Sequence, residues 1–293
     1  MSMARHDTEL MEPPVKPAPL WSRLLRCYAL HWPIHRGKYR LAVWAYGHLP
    51  IPDISVEAAM DRTISIRLHL KTWVDFNMYH VGLYEHYLAR FFLGQIRPDT
   101  VFLDVGAYIG QYTLLAAKYA PLGQVFAFEP HAASARRLQE AVERNGFARV
   151  RVFTQAVGKI DGETDFYWTP DASTSSLQKR SSECHRVPVT TLDAFCEAQR
   201  LDHADLIKID VEGAEHHVLE GARAVLEHYR PMVIVEIQPP ARAYDMLQEA
   251  GYRLFRLHHG RLLPLEEARL AREENVIGWP REQSNRIRDA LRG

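Results

Sequence analysis

From Val101 onward the chain alternates short apolar runs with amphipathic stretches, and nothing else in its 293 residues constrains the fold as strongly. Val101–Val105, Gln124–Phe128, Val150–Phe153, Leu206–Ile209 and Met232–Ile237 read as buried strands. Helices are expected at 112–119, 132–144, 216–228 and 241–250, with Pro121, Gly123 and the Asn145-Gly146 pair as stops. Segments 252–257 and 275–279 are expected late strands. Such alternation implies an α/β fold, a parallel sheet with helices on both faces. Ligands of these sheets gather beyond the carboxyl ends of the strands, at the switch point.

Other segments fall outside the alternation. Residues 1–19 are polar and Pro-rich and are expected to be disordered. Residues 20–95 form an expected N-terminal extension of helices and a strand, ahead of a main domain at 96–293. Within it, 64–70 alternates as a half-buried strand. Segment 81–94 reads as a helix with Leu83, Tyr87, Leu88, Phe91 and Phe92 on one side. Segment 21–49 interleaves aromatics with Arg23, Arg26, Arg36, Lys38 and Arg40, and no Asp or Glu occurs between Glu12 and Asp53. The favoured reading packs the aromatics on the main domain and leaves the bases in water. The alternative is a surface for anionic lipid, a peripheral membrane contact, or for an anionic substrate. Segment 163–189 breaks the alternation as a β-hairpin insertion, with strands at 165–168 and 186–189 and Ser173 and Ser176 in its loop. It either covers an acceptor site, together with Tyr84 and Glu85, or is a solvent loop.

Charge and cysteine content narrow the function. Lys plus Arg and Asp plus Glu both number 36, which argues against a nucleic-acid binder. Cys27, Cys184 and Cys196 match neither a disulfide framework nor a zinc site, so a reducing, cytoplasmic setting is expected. No secretory leader and no apolar run near the ~20 residues of a membrane span is visible.

The strand ends carry the chemistry. The first runs into DVGAYIG (104–110), where Gly106 and Gly110 permit close backbone approach and Asp104 adds a carboxylate. That acid repels a pyrophosphate and welcomes an ammonium or sulfonium, which separates S-adenosylmethionine from NAD. Glu129 ends the second strand, where an acid accepts ribose hydroxyls. After the third, Gln155 is a candidate for the adenine edge, flanked by Ala156 and Val157. The fourth leads into Asp210, Glu212 and Glu215, the last two sharing a face if helical. Like charges this close need an opposing cation, a hydroxyl substrate or a nearby Lys.

Taken in order, GLYE (82–85), FLDVGAYIGQYTLLAA (102–117), AFEP (127–130), QAVG (155–158), TSSL (174–177), TTLDAF (190–195) and LIKIDVEGAE (206–215) resemble the FkbM-type S-adenosylmethionine-dependent methyltransferases. The resemblance runs over about 82–237, with a weaker echo at 275–280. It implies a class I methyltransferase (Rossmann-like) sheet and O-methylation of a sugar, glycan-precursor or natural-product hydroxyl. It further implies that Asp104, Gly106 and Glu129 bind the cofactor and that 210–215 line the cleft. The expected cofactor contacts in full are Glu85, Asp104, Gly106, Ala107, Tyr108, Gly110, Thr113, Glu129, Pro130, Gln155, Ala156 and Asp210. The family usually has Asn where this chain has Tyr108, so no side-chain contact carries over there. A general base would help a hydroxyl acceptor, and Glu212, Asp210 and His217 are the candidates in that order. A divalent metal on Asp210, as in catechol-type methyltransferases, ranks second to a metal-free site. An NAD(P)-dependent or nucleotide-sugar enzyme and a non-catalytic adaptor are the alternatives.

Overall fold

The computed structural model describes residues 13–31, 37–168, 183–237, 242–265 and 274–283. The chain forms two compact units, one through Tyr84 and one from Glu85.

In the first unit, helices α1 (Leu20–His31) and α2 (Lys38–His48) precede β1 (Ser55–Met60), β2 (Ile64–His69) and α3 (Trp73–Val81). The two strands pair antiparallel, and the alternate residues Ile64, Ile66 and Leu68 are buried. Trp21 and Leu25 of α1 and Ala42 and Ala45 of α2 gather around Phe76 of α3. Ser22 Oγ lies 2.8 Å from His80 Nε2, whose Nδ1 meets the Phe76 carbonyl at 2.9 Å. Two expectations change here. Residues 14–16 are ordered, because Lys16 N donates to Ser55 O and Ser55 N to Pro14 O, extending the edge of β1. Residues 1–12 lie outside the described set. The helix expected at 81–94 is broken: Gly82, at φ 95°, closes α3 after Val81.

The second unit begins with Glu85 and α4 (His86–Leu93). The boundary expected near residue 95 therefore moves to 84, because Phe92 packs edge-on against Phe102 and Tyr112. The alternation then follows: β3 (Val101–Val105), α5 (Gln111–Tyr119), β4 (Gln124–Phe128), α6 (Ala132–Arg144) and β5 (Val150–Phe153). A side sheet comes next, from β6 (Ala156–Val157), β7 (Gly162–Trp168) and β8 (Glu183–Thr190). β7 and β8 are the expected hairpin, longer than foreseen, and β6 pairs parallel with β8. The hairpin loop with Ser173 and Ser176 lies outside the described residues. Then come α7 (Leu192–Ala198), β9 (Leu206–Ile209), α8 (Glu215–Glu220), β10 (Met232–Ile237), α9 (Arg242–Glu249), β11 (Tyr252–His258), β12 (Arg261–Pro264) and β13 (Glu274–Pro280).

Eight strands form the main sheet in the order β12-β11-β13-β10-β9-β3-β4-β5. From β5 to β10 every pairing is parallel, while β13 runs antiparallel between β10 and β11. Chain order reverses between β3 and β9, which sets the switch point there. The helix expected at 216–228 stops at Glu220. A Cβ on Gly221 would lie 2.1 Å from the Gly158 carbonyl, so the chain is pressed against the β6 turn. A π-helical turn follows at Val225–Tyr229, its Ala224 and Val225 amides held by the Asp193 carboxylate.

Candidate active site

The β3 turn is held by its backbone. Gly106 and Ala107 N–H groups both donate to the Phe128 carbonyl at the end of β4, at 2.9 and 3.0 Å. Gly106 sits at φ 81°, and a Cβ there would fall 1.8 Å from the Asp210 carbonyl oxygen. Gly110 sits at φ 87°, with a would-be Cβ 2.1 Å from Leu138 Cδ1. The close approaches these glycines make are to β9 and to α6. Between them, Tyr108 holds a left-handed φ of 50°, uncommon for a bulky residue.

Glu129 is buried and clamped. Its Oε2 accepts Tyr108 N–H and its Oε1 accepts His131 N–H, each at 2.8 Å. Each oxygen keeps a further lone pair for a hydroxyl donor. Burial raises its pKa to about 7, while the two amides pull the other way and the charges of Asp104 and Asp210 reinforce the rise. Pro130 beside it is half-buried.

The centre of the site is an ammonium inside the sheet. Lys208, on β9 beside Asp104, is buried, and its Nζ lies 2.6 Å from Asp210 Oδ2 and 4.7 Å from the Tyr112 ring centre. Asp104 is buried and accepts Thr113 Oγ1 at 2.5 Å. Glu85, at φ 49°, accepts Tyr112 OH at 3.1 Å and Asn275 Nδ2 at 2.6 Å. Burial disfavours the Lys208 charge, yet Asp210, Asp104 and Glu85 raise its pKa above the ordinary value. Burial alone would raise Asp210, but Lys208 and a hydrogen bond from Glu236 bring it below the ordinary range. Glu236 is pushed up to about 10 by burial and by Asp210, and so is the protonated member of that pair. Burial also raises Asp104 and Glu85, partly offset by Lys208.

Around one cation thus stand Glu85, Asp104, Asp210 and Glu236, with Glu129 a strand away. This donor set repels a pyrophosphate and suits a ligand carrying ammonium and sulfonium charge. The clamped Glu129 suits a sugar diol. The residues present therefore fit S-adenosylmethionine.

Other expected residues are placed less simply. Glu212 and Glu215 do not share a helical face. Glu212 is left-handed at φ 54°, Gly213 follows at φ 103°, and Glu215 turns back to accept Gly213 N–H at 2.7 Å. His217 pairs with Glu220, Nδ1 to Oε2 3.3 Å, and Glu220 also takes Arg242. Its imidazole is thus paired with an acid of its own helix. Gln155 is half-buried. Ala156 is a strand residue packed with Phe166 and Val187, not an open loop position. Asp210, Glu212 and Glu236 each offer an oxygen within 4.8 Å of the others, among the described residues the one such trio. Residue spacing hides it because Glu236 comes from β10. Lys208, Tyr112, Glu236 and Asn275 were missed as site residues. A Lys in an otherwise apolar buried strand and a Glu near the end of the next were the available signals.

A parallel sheet of this order, with its last-joined strand reversed and an acid-lined switch point, defines a class I S-adenosylmethionine-dependent methyltransferase. A family model described as the methyltransferase FkbM domain matches residues 104–254, and the chain belongs to that family. It is similar to the 2-O-methyltransferase NoeI of Sinorhizobium fredii, at 29% identity over 172 residues, spanning 50% of this chain and 70% of that protein. It is also similar to the hexuronic acid methyltransferase AglP of Haloferax volcanii, at 28% identity over 169 residues, spanning 57% and 69%. Among solved structures, the methyltransferase FkbM of Methylobacillus flagellatus aligns with a TM-score of 0.45 and 18% identity, over 69% of this chain and 52% of that one. Family membership sets aside the dinucleotide alternative. Among the described residues, no helix is long and apolar enough to cross a membrane.

Proposed function

We propose that the protein methylates a hydroxyl of a sugar or glycan precursor. The observation that carries the reading is the acid-lined switch point, with Glu129 clamped on one side and Asp210 and Glu212 on the other. The printed activities of the two relatives, a 2-O-methyltransferase and a hexuronic acid methyltransferase, support a carbohydrate acceptor. When bound, S-adenosylmethionine supplies an electrophilic methyl group on a sulfonium.

The protein's task is to hold, orient and deprotonate. Glu129 accepts the ribose hydroxyls. Asp104 and Glu85 lend negative potential toward the cationic end of the cofactor. Asp210, kept ionised by Lys208, orients the acceptor hydroxyl, and such alignment supplies a large part of methyl-transfer acceleration. Glu212 takes the hydroxyl proton, since Asp210 is committed to Lys208, which holds its carboxyl below the ordinary range. The trio of Asp210, Glu212 and Glu236 favours a second reading, a divalent cation beside the acceptor. We rank it second because the Lys208 ammonium already neutralises Asp210. Turnover unchanged in chelator agrees with the first reading, and turnover abolished by chelator and restored by magnesium supports the second.

The deciding experiment is transfer of labelled methyl to a panel of glycosides, hexuronic acids, phenols and amines. Label in sugar or uronic acid hydroxyls is expected. Label confined to phenols or amines overturns the acceptor class.

A further inference from the structure

We propose that Asn275 is a positioning residue for the cofactor, holding the Glu85 carboxylate toward the ammonium at the amino-acid end of S-adenosylmethionine. The inference rests on the methyltransferase reading and deepens the part given there to Glu85. Glu85 stands at the N-terminal cap of α4, yet its side chain does not bond the free N–H groups of that helix. Its backbone is left-handed, at φ 49° and ψ 51°, which costs energy for a residue with a Cβ. The carboxylate turns instead to the sheet, where Oε2 accepts Tyr112 OH at 3.1 Å and Oε1 accepts Asn275 Nδ2 at 2.6 Å. Asn275 lies 190 residues away in sequence. It stands opposite Glu236 in the antiparallel pairing of β13 with β10, at the end of the sheet where the parallel strands finish.

The chemistry of the two donors carries the argument. A primary amide and a phenol each donate a hydrogen bond without bringing positive charge. A Lys or Arg at 275 would also hold the carboxylate, but would cancel its pull on a cationic ligand. An Asp, of the same shape as Asn, would repel it. With one described donor apiece, the Glu85 oxygens keep lone-pair capacity for an ammonium. Both bonds favour the ionised form, against the burial that raises the Glu85 pKa. Among the other acids around Lys208, Asp210 is spent on that ammonium at 2.6 Å, and Asp104 is buried on Thr113 at 2.5 Å. Glu85 is only half-buried, so a ligand can reach it. The Asn275 amide thus fixes an anion without neutralising it.

The test is calorimetry of the full chain with two ligands that differ beyond the sulfur. S-adenosylhomocysteine carries the ammonium, and methylthioadenosine keeps the adenosine and the sulfur but lacks the amino-acid end. Asn275→Ala should weaken S-adenosylhomocysteine about tenfold and leave methylthioadenosine within about twofold. Asn275→Asp, which keeps the shape and removes the donor, should lose at least as much. Tyr112→Phe, which removes the other donor, should show the same selectivity, so the result does not hang on the folding of one variant. In a Glu85→Gln background, Asn275→Ala should cost less than about twofold more, because the two residues act as one unit. Equal losses for both ligands in the Asn275 variants, or a loss for neither, overturn the proposal and leave the methyltransferase reading standing. Wild-type protein that binds neither ligand overturns that reading and the proposal with it.

Discussion

The turns after β3 and after β9 do the same topological work, yet they are built differently. Each carries the chain from a buried parallel strand into a helix at the switch point, and each holds residues at positive φ. In the β3 turn the glycines serve packing against Asp210 and Leu138, and the backbone amides do the holding. In and after β9 the side chains matter: Lys208 of the strand and Asp210 and Glu212 of its turn bring charge where the β3 turn brings N–H groups. The difference teaches that a frame of backbone donors and a concentration of charge can share one crevice, each stabilised by the other.

Breaking the charged half should produce the largest effect. Lys208→Met leaves Asp210, Asp104 and Glu85 without their buried cation. The expected loss is about 3–5 kcal/mol in stability, with turnover abolished. Adding Asp210→Asn should recover part of the stability and none of the activity, since it removes one uncompensated charge. Urea denaturation of the two variants checks this. A loss under about 1 kcal/mol for the single variant would mean that the carboxylates neutralise themselves by taking up protons.

The next effect separates chemistry from binding within the β9 turn. Glu212→Gln should lower turnover about 10²–10⁴-fold while leaving S-adenosylhomocysteine affinity within about twofold. Steady-state kinetics and calorimetry read the two quantities separately. Near-normal turnover would remove Glu212 as the base and shift attention to Asp210. A matched loss of affinity would make it a cofactor residue instead.

How much of this was legible follows the same division. Buried parallel strands announce themselves as apolar runs, so β3, β4, β5, β9 and β10 were readable to the residue. The glycine turn and Glu129 were readable because their positions follow from the strand they end. The charged half was only partly so. Asp210 and Glu212 are two residues apart in sequence, but Glu236 and Asn275 reach the site through β10 and β13 pairing, which no local spacing encodes. Helix breaks were also hidden. The stop at Gly221 depends on the Gly158 carbonyl more than sixty residues upstream, and the start of α4 depends on a left-handed Glu85 anchored by Asn275. The disorder expected through residue 19 failed at 14–16, where composition could not foresee the backbone pairing with Ser55.

A smaller effect sharpens the β3 side. With its pKa at about 7 in the folded protein against 4.5 in the unfolded chain, Glu129 binds its proton more tightly when folded. Its contribution to stability therefore falls as pH rises from about 4.5 to about 7. Cofactor binding should run the other way, because ribose hydroxyls donate best to the ionised carboxylate. S-adenosylhomocysteine should bind about tenfold more weakly near pH 6 than near pH 8. Glu129→Gln should flatten that dependence and weaken binding throughout. Calorimetry across the range checks both, and a wild-type affinity constant with pH would mean that Glu129 is ionised well below pH 6.

The smallest expected effect tests whether the β3 turn is backbone alone. Tyr108 contributes its N–H to Glu129 at 2.8 Å while its own φ of 50° strains a bulky side chain. Asn tolerates that conformation better and keeps the same N–H. Tyr108→Asn should therefore gain roughly 0.5–1 kcal/mol in stability and leave S-adenosylhomocysteine affinity unchanged. Thermal unfolding reads the first and calorimetry the second. A stability loss would mean that packing of the half-buried ring outweighs the strain. An affinity loss of several-fold would make the phenol ring a cofactor contact, and the contrast between a backbone turn and a side-chain turn would no longer hold.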